Sequence, residues 1–110
     1  MNRHERRRQK KNKKLNQTVN PDLVEGIKQH TNKNFEDARS LYNKVLSSEP
    51  TNYEALRHLG ILNQDLKEYE EAYNFFIRAI KVNPNGFQAL SNLATVHMQN
   101  KNYELAYKCL

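Results

Sequence analysis

The sequence has one cysteine, no tryptophan, three glycines and three prolines in 110 residues, and no long apolar run. Each scarcity removes a class of protein. A lone thiol, Cys109, builds no intramolecular disulfide framework and reads as a small apolar residue on a helix. The four histidines are scattered, without the C-x-x-C or H-x-x-x-H spacing of a zinc site. With so few glycines there is no phosphate-cradling loop: G-x-x-x-x-G-K-[ST] and G-x-G-x-x-G are absent, as are G-x-S-x-G and H-E-x-x-H. No catalytic role and no cofactor is therefore expected. No window of about 18 apolar residues exists to span a membrane. After the initiating Met1, residues 1–20 offer only Leu15 and Val19 as large apolar side chains, too little for a secretory leader, so a cytoplasmic protein is expected.

What is present is charge, unevenly placed. The net charge of +6 divides into two parts. Arg3, Arg6, Arg7, Arg8, Lys10, Lys11, Lys13 and Lys14 stand against Glu5 alone, so the first 14 residues carry +7 and the remainder −1. Such a stretch buries too little apolar surface to offset the entropy of ordering, and residues 1–18 are expected to form a disordered basic arm. Counterion release gives the arm a non-specific affinity for nucleic acid at most, because no aromatic side chains are interleaved to stack on bases. A plain solubilising role fits it equally.

The rest of the chain repeats itself at an interval of 34 residues. Leu56 meets Leu90, Leu59 meets Leu93, and Gly60 meets Gly26 and Ala94; Tyr69 meets Phe35 and Tyr103, Ala72 meets Ala38 and Ala106, Phe76 meets Tyr42 and Leu110, and Pro84 meets Pro50. Residues 53–76 and 87–110 are identical at 8 of 24 positions, far above chance, so the repeat decides the fold. Apolar fraction (37%) and mean hydropathy (−0.98) are low for a deep globular core and suit a thin, extended one.

Within each repeat the apolar spacing is helical. Asn20-Pro21 starts a helix: the asparagine oxygen accepts from a free amide, proline at the first position loses no needed donor, and Asp22 complements the dipole. That helix is expected to reach residue 31, before the polar turn 31–34. Phe35, Ala38, Leu41, Tyr42, Val45 and Leu46 mark one face of the next, which ends near Ser48 because Pro50 follows. Further helices are expected over residues 52–66, 69–82 and 87–99, with another begun at Tyr103. Glu70 and Glu71 point to different faces of their helix and complement its dipole rather than flanking a substrate.

Leu59-Gly60, Tyr69, Ala72, Phe76, Ala79 and Pro84 together resemble the tetratricopeptide repeat, whose helix-turn-helix unit has this period. The resemblance implies an all-α, helix-turn-helix solenoid of about 2.7 repeats behind the basic arm: a degenerate repeat at 19–52, a full one at 53–86 and a truncated one at 87–110. Leu56 and Leu90 replace the large aromatic that often opens the signature. Asp22 and Glu25 make the first helix polar, as the outer end of a stack requires. Gly60, Ala72 and Ala79 are small where helices close on one another, and the aromatic stripe is read as core packing rather than a stacking platform.

The family implies a protein-binding scaffold whose first helices line a groove for a peptide or protein segment. By that likeness the groove holds Glu54, Arg57, His58 and Ile61, then Gln88, Ser91, Asn92, Thr95, Met98 and Gln99, and in the first repeat Asn20, Leu23, Val24 and Ile27. His58 and His97 are read as surface or groove histidines. The positions of the family's cationic carboxylate clamp hold Leu23, Ile27, His58, Gln88 and Asn92, so chaperone-tail binding is not expected. Of the asparagine ladder found in repeats fused to glycosyltransferases, Asn92 fits while His58 and Val24 do not. The basic leader and the cadence A-x-x-L-Y-x-x-V-L-x-x-E-P are similar to the front of bacterial proteins in which such repeats precede a glycosyltransferase or sulfotransferase domain. A substrate-recruiting piece of such an enzyme is the alternative reading, and a nucleic-acid accessory acting through the arm a weaker one.

The repeat breaks off at Leu110, about two turns into a helix. Leu90, Leu93, Tyr103, Ala106 and Leu110 would then leave an apolar edge, and self-association through it is expected. Sedimentation should show mass rising with concentration; a single monomer throughout, with a cooperative melt well above about 50 °C, would contradict this.

Overall fold

The computed structural model describes residues 19–100, which form five helices and no strand. In order they are α1 (Pro21–Thr31), α2 (Phe35–Ser48), α3 (Tyr53–Asp65), α4 (Tyr69–Val82) and α5 (Phe87–Gln99). The basic arm, the segment from Tyr103 and Cys109 lie outside the described residues. All five helices fall where the apolar spacing puts them. Only the expected 52–66 helix is trimmed, because Asn52 and Leu66 are its caps.

The helix ends explain themselves. Asn20 Oδ1 accepts from the Asp22 amide at 2.9 Å and Asn52 Oδ1 from the Ala55 amide at 2.9 Å, satisfying donors that the first turn leaves unpaired. At the other end of α1, the Lys33 amide donates to His30 O (3.0 Å) and the Asn34 amide to Gln29 O (2.8 Å). The same pair recurs after α3, from Lys67 to Gln64 O (3.0 Å) and from Glu68 to Asn63 O (2.8 Å). These are Schellman closures, which need a left-handed residue; Lys33 (φ 64°) and Lys67 (φ 62°) supply it although neither is glycine.

Consecutive helices pack as antiparallel hairpins, α1 with α2 and α3 with α4, and α5 packs on α4. Side chains dictate how closely. A Cβ on Gly60 would stand 2.5 Å from Phe76 Cε1, and one on Gly26 would stand 2.7 Å from Tyr42 Cε1. Phe76 and Tyr42 are fully buried, so each ring lies directly on the bare backbone of the facing helix. Around them the core divides by hairpin. Leu23, Ala38, Tyr42, Val45, Ala55, Leu59 and Leu62 join α1, α2 and α3, while Ala72, Phe76, Leu93 and Val96 join α4 to α5. Leu93, expected at an open edge, is thus enclosed, and Leu90 is half-buried.

Hairpins are tied to one another at their starts. The Tyr53 hydroxyl donates to Gly86 O (3.1 Å) and accepts from the Ala89 amide (3.2 Å), so the heads of α3 and α5 share one phenol. Odd helices touch one another directly, α1 with α3 and α3 with α5, whereas α2 and α4 make no such contact among the described residues. A stack whose odd helices crowd and whose even helices splay curves toward the odd side. Its inner face belongs to α1, α3 and α5.

Gly60→Ala should lower unfolding free energy by about 1–3 kcal/mol despite alanine's better helix propensity, since Phe76 has nowhere to retreat. Urea denaturation checks this, and a Phe76→Leu background should recover part of the loss.

Candidate functional site

The inner face presents most of the expected groove. Glu54, Arg57, His58 and Ile61 on α3 are half-buried, as is Asn92 on α5; Gln88, Ser91, Thr95, Met98 and Gln99 are exposed. On α1, Val24 is exposed and Asn20 and Ile27 are half-buried, but Leu23 belongs to the core. Its place on the helix turns it toward Val45 and Leu59, and it is no groove residue. His97 is also a correction. It is buried, and its ring meets the edge of Tyr73 at 5.0 Å rather than water.

An open hollow of about 300 Å³ lies between α1 and α3, lined by Ile27, His30, Thr31, His58, Ile61 and Asp65. Three of these, His30, Thr31 and Asp65, were not among the expected site residues. The 34-residue register contains them: Gln99, which was named, corresponds to Asp65 and Thr31, and Met98 corresponds to His30. Extending the stripe one turn along α1 and α3 finds them.

His30 organises the hollow. Its Nε2 lies 2.7 Å from Asp65 Oδ2 and its Nδ1 lies 3.1 Å from the Tyr42 hydroxyl. Burial, helped by the Asp65 charge, pushes Tyr42 up to about 12, so the phenol keeps its proton where it faces Nδ1. A carboxylate only accepts, so His30 Nε2 is the donor to Asp65. Tyr42 holds His58 by its other side, ring on ring, with centroids 5.8 Å apart and planes at 25°.

His58 is held neutral. Burial lowers it most and Arg57 and His30 add to this, outweighing Glu54, which stands 3.5 Å from its Nε2, and the result is about 4. Glu54 is shared, since Arg57 Nη2 donates to the same Oε2 at 2.9 Å. Arg57 Nε and Asn92 Oδ1 are shut away from water without a hydrogen-bond partner among the described residues. One is a donor and the other an acceptor, on neighbouring odd helices. Further along, Gln64 Nε2 donates to Gln99 Oε1 at 2.7 Å, bridging α3 to α5 as His30 and Asp65 bridge α1 to α3. Among the described residues no cluster of metal-ligating side chains occurs, and no helix is long and apolar enough to cross a membrane. The Arg3 to Lys14 cations lie outside the described residues.

A family profile described as tetratricopeptide repeat matches residues 30–88. No curated protein matches the chain. Among solved structures, the crystal structure of MamA superposes with a TM-score of 0.77 at 14% identity, covering 80% of this chain and 48% of that one, so the chain spans about half of MamA's length. The second repeat domain of Spaghetti (RPAP3), bound to the HSP90 peptide SRMEEVD, gives 0.75 at 16% identity, covering 80% and 82%. The N-terminal domain of stress-induced protein-1 (STI-1) from C. elegans gives 0.73 at 19%, covering 80% and 75%. At such identities these likenesses are likenesses of fold. The narrower kinship with the front of glycosyltransferases and sulfotransferases is not among what these matches show.

The depressed His58 carries a pH signature with a definite sign. Below about pH 6.5 the unfolded chain binds a proton that the folded chain refuses until about pH 4, so stability falls as pH drops through that window. The loss should reach about 2–3 kcal/mol, and buried His97, lowered by the same cause, acts in the same direction. Urea midpoints at pH 7.5, 6 and 4.5 should show a visibly shallower pH slope for His58→Gln than for the native chain; equal slopes would refute the assignment.

Proposed function

The chain belongs to the tetratricopeptide repeat family, and we propose that it is a non-catalytic cytoplasmic scaffold that binds a peptide or protein segment in extended form along α1, α3 and α5. The observation that carries this reading is the inner face itself, where α1, α3 and α5 come together and Glu54, Arg57, His58 and Asn92 stand half-buried along it. An extended backbone offers carbonyls and N–H groups that polar side chains in such a row can pair with. A fold of the same shape holds a peptide in the RPAP3 domain. On the inner face here the arginine, Arg57, is already engaged by Glu54, and the other basic side chains named on it are histidines. Glu54, Arg57, His58 and Ile61 form the centre of the binding face, and Gln88, Ser91, Asn92, Thr95, Met98 and Gln99 continue it.

Affinity capture with the native chain should recover a partner that the combined variant Arg57→Ala, His58→Ala, Asn92→Ala loses. The variant must keep its helical circular dichroism and a cooperative melt. Retention of the partner by a folded triple variant would move the binding face elsewhere.

A further inference from the structure

The hollow between α1 and α3 has a floor of Ile27 and Ile61 and a polar rim. His30 Nε2 donates to Asp65 Oδ2, and a neutral His58 has its Nε2 beside Glu54, which leaves Nδ1 to accept. Thr31 Oγ1 donates to Ile27 O at 2.9 Å and keeps lone pairs. Asp65 Oδ1 has no hydrogen bond among the described residues, and the Asp65 side chain is 47% exposed. The rim therefore offers acceptors and a negative charge above an apolar floor. That combination suits an aliphatic stem ending in a cationic donor, which is a lysine or arginine side chain. It is ill-suited to a carboxylate.

We propose that this hollow docks the chain's own basic arm, through a side chain from Arg3 to Lys14. The inference rests on the inner face being the binding face. Two further observations select this occupant. Residues 19–100 hold 8 basic and 10 acidic side chains, a net −2, against +7 in the first 14 residues. The hollow also lies within reach. It sits at the far end of α1, about 16 Å from the helix start at about 1.5 Å per residue, whereas the six residues from Lys14 to Asn20 already extend to about 20 Å. Tethering at that range supplies an effective concentration on the order of millimolar, enough to fill a subsite too weak to hold a free lysine. The arm then competes with the outside partner for the first third of the groove.

The test uses the full-length chain with Arg6→Ser, Arg7→Ser, Arg8→Ser, Lys10→Ser and Lys11→Ser, compared with the native chain by NMR at low salt. Signals of Ile27, His30, Ile61 and Asp65 should differ between the two, and the difference should collapse at about 0.5 M salt. A synthetic peptide of residues 1–18 should bind the neutralised-arm chain at least tenfold more tightly than the native chain, and Asp65→Asn in the neutralised-arm chain should abolish that binding. Identical hollow signals, or equal peptide affinity for both chains, overturns the proposal. A native shift that changes on tenfold dilution assigns the hollow to a second copy and also overturns it. The general reading stands or falls separately: partner loss in the Arg57, His58, Asn92 variant, without any arm effect, leaves the groove intact and removes only the arm.

Discussion

Two helices of a hairpin approach to ring-contact distance only where one of them has no side chain. Phe76 on Gly60 and Tyr42 on Gly26 are the two places where this chain does so, one per hairpin, and the remaining packing takes its spacing from them. With the rings seated, Ala38, Ala72 and Ala79 are small enough to let the neighbouring turns close and are fully buried. The turn between helices must then be short. It is short enough to force a lysine into the left-handed region in both hairpins, a conformation that costs a non-glycine residue about 1–2 kcal/mol and persists because the Schellman bonds and the seated ring determine the turn from both sides. The same contact reaches the inner face. In the first hairpin the ring is a tyrosine, so its body fills the core while its hydroxyl orients His30, and through His30 the carboxylate of Asp65.

This continuity explains which features were legible in the sequence. Period and most helix ends were, because they depend on one residue type at one spacing: Asn20 caps, Pro50 and Pro84 follow helix ends, and the small residues return every 34 positions. His58 and Ile61, assigned to the groove by family likeness, both line the hollow between α1 and α3. Residues whose role is set by a partner on another helix were not legible. Asn63 and His97 occupy one register position, and so do Arg39 and Tyr73. At the first junction the pair is polar, with Arg39 Nη1 donating to Asn63 Oδ1 at 3.2 Å; at the second it becomes a ring against a ring. A histidine at that position is exposed or enclosed according to what stands opposite it, which periodicity does not report. Leu23 is a simpler case, an apolar residue assigned by family register to a face that its own helix turns inward.

Electrostatics on the inner face follows from shielding more than from charge count. Arg57 Nη2 and Glu54 pair with each other, and His58, between them and the Tyr42 ring, lies where a second cation would have neither water nor a spare carboxylate. Its neutrality is the cheaper arrangement. Consequently the face near α1 is rich in acceptors and poor in free positive charge, which is the reverse of what recognition of a terminal carboxylate demands.

The two junctions between odd helices share one geometry but not one chemistry, and this gives the groove a direction. Between α1 and α3 the bridging pair is His30 with Asp65, two ionisable groups backed by a buried phenol; between α3 and α5 it is Gln64 with Gln99, two neutral amides of fixed hydrogen-bonding capacity. By the 34-residue register Ile27, His58 and Ile61 at the first junction correspond to Ile61, Asn92 and Thr95 at the second. A segment lying along the helices would therefore meet ionisable groups at one junction and neutral amides at the other. Reversing that segment would set a basic side chain against glutamines, which hold it with neutral dipoles alone, and an uncharged side chain against Asp65, whose free oxygen would go unpaired or keep its water. Within a repeating backbone, the exchange of an ionisable bridging pair for a pair of neutral amides is thus what makes the two junctions chemically unlike.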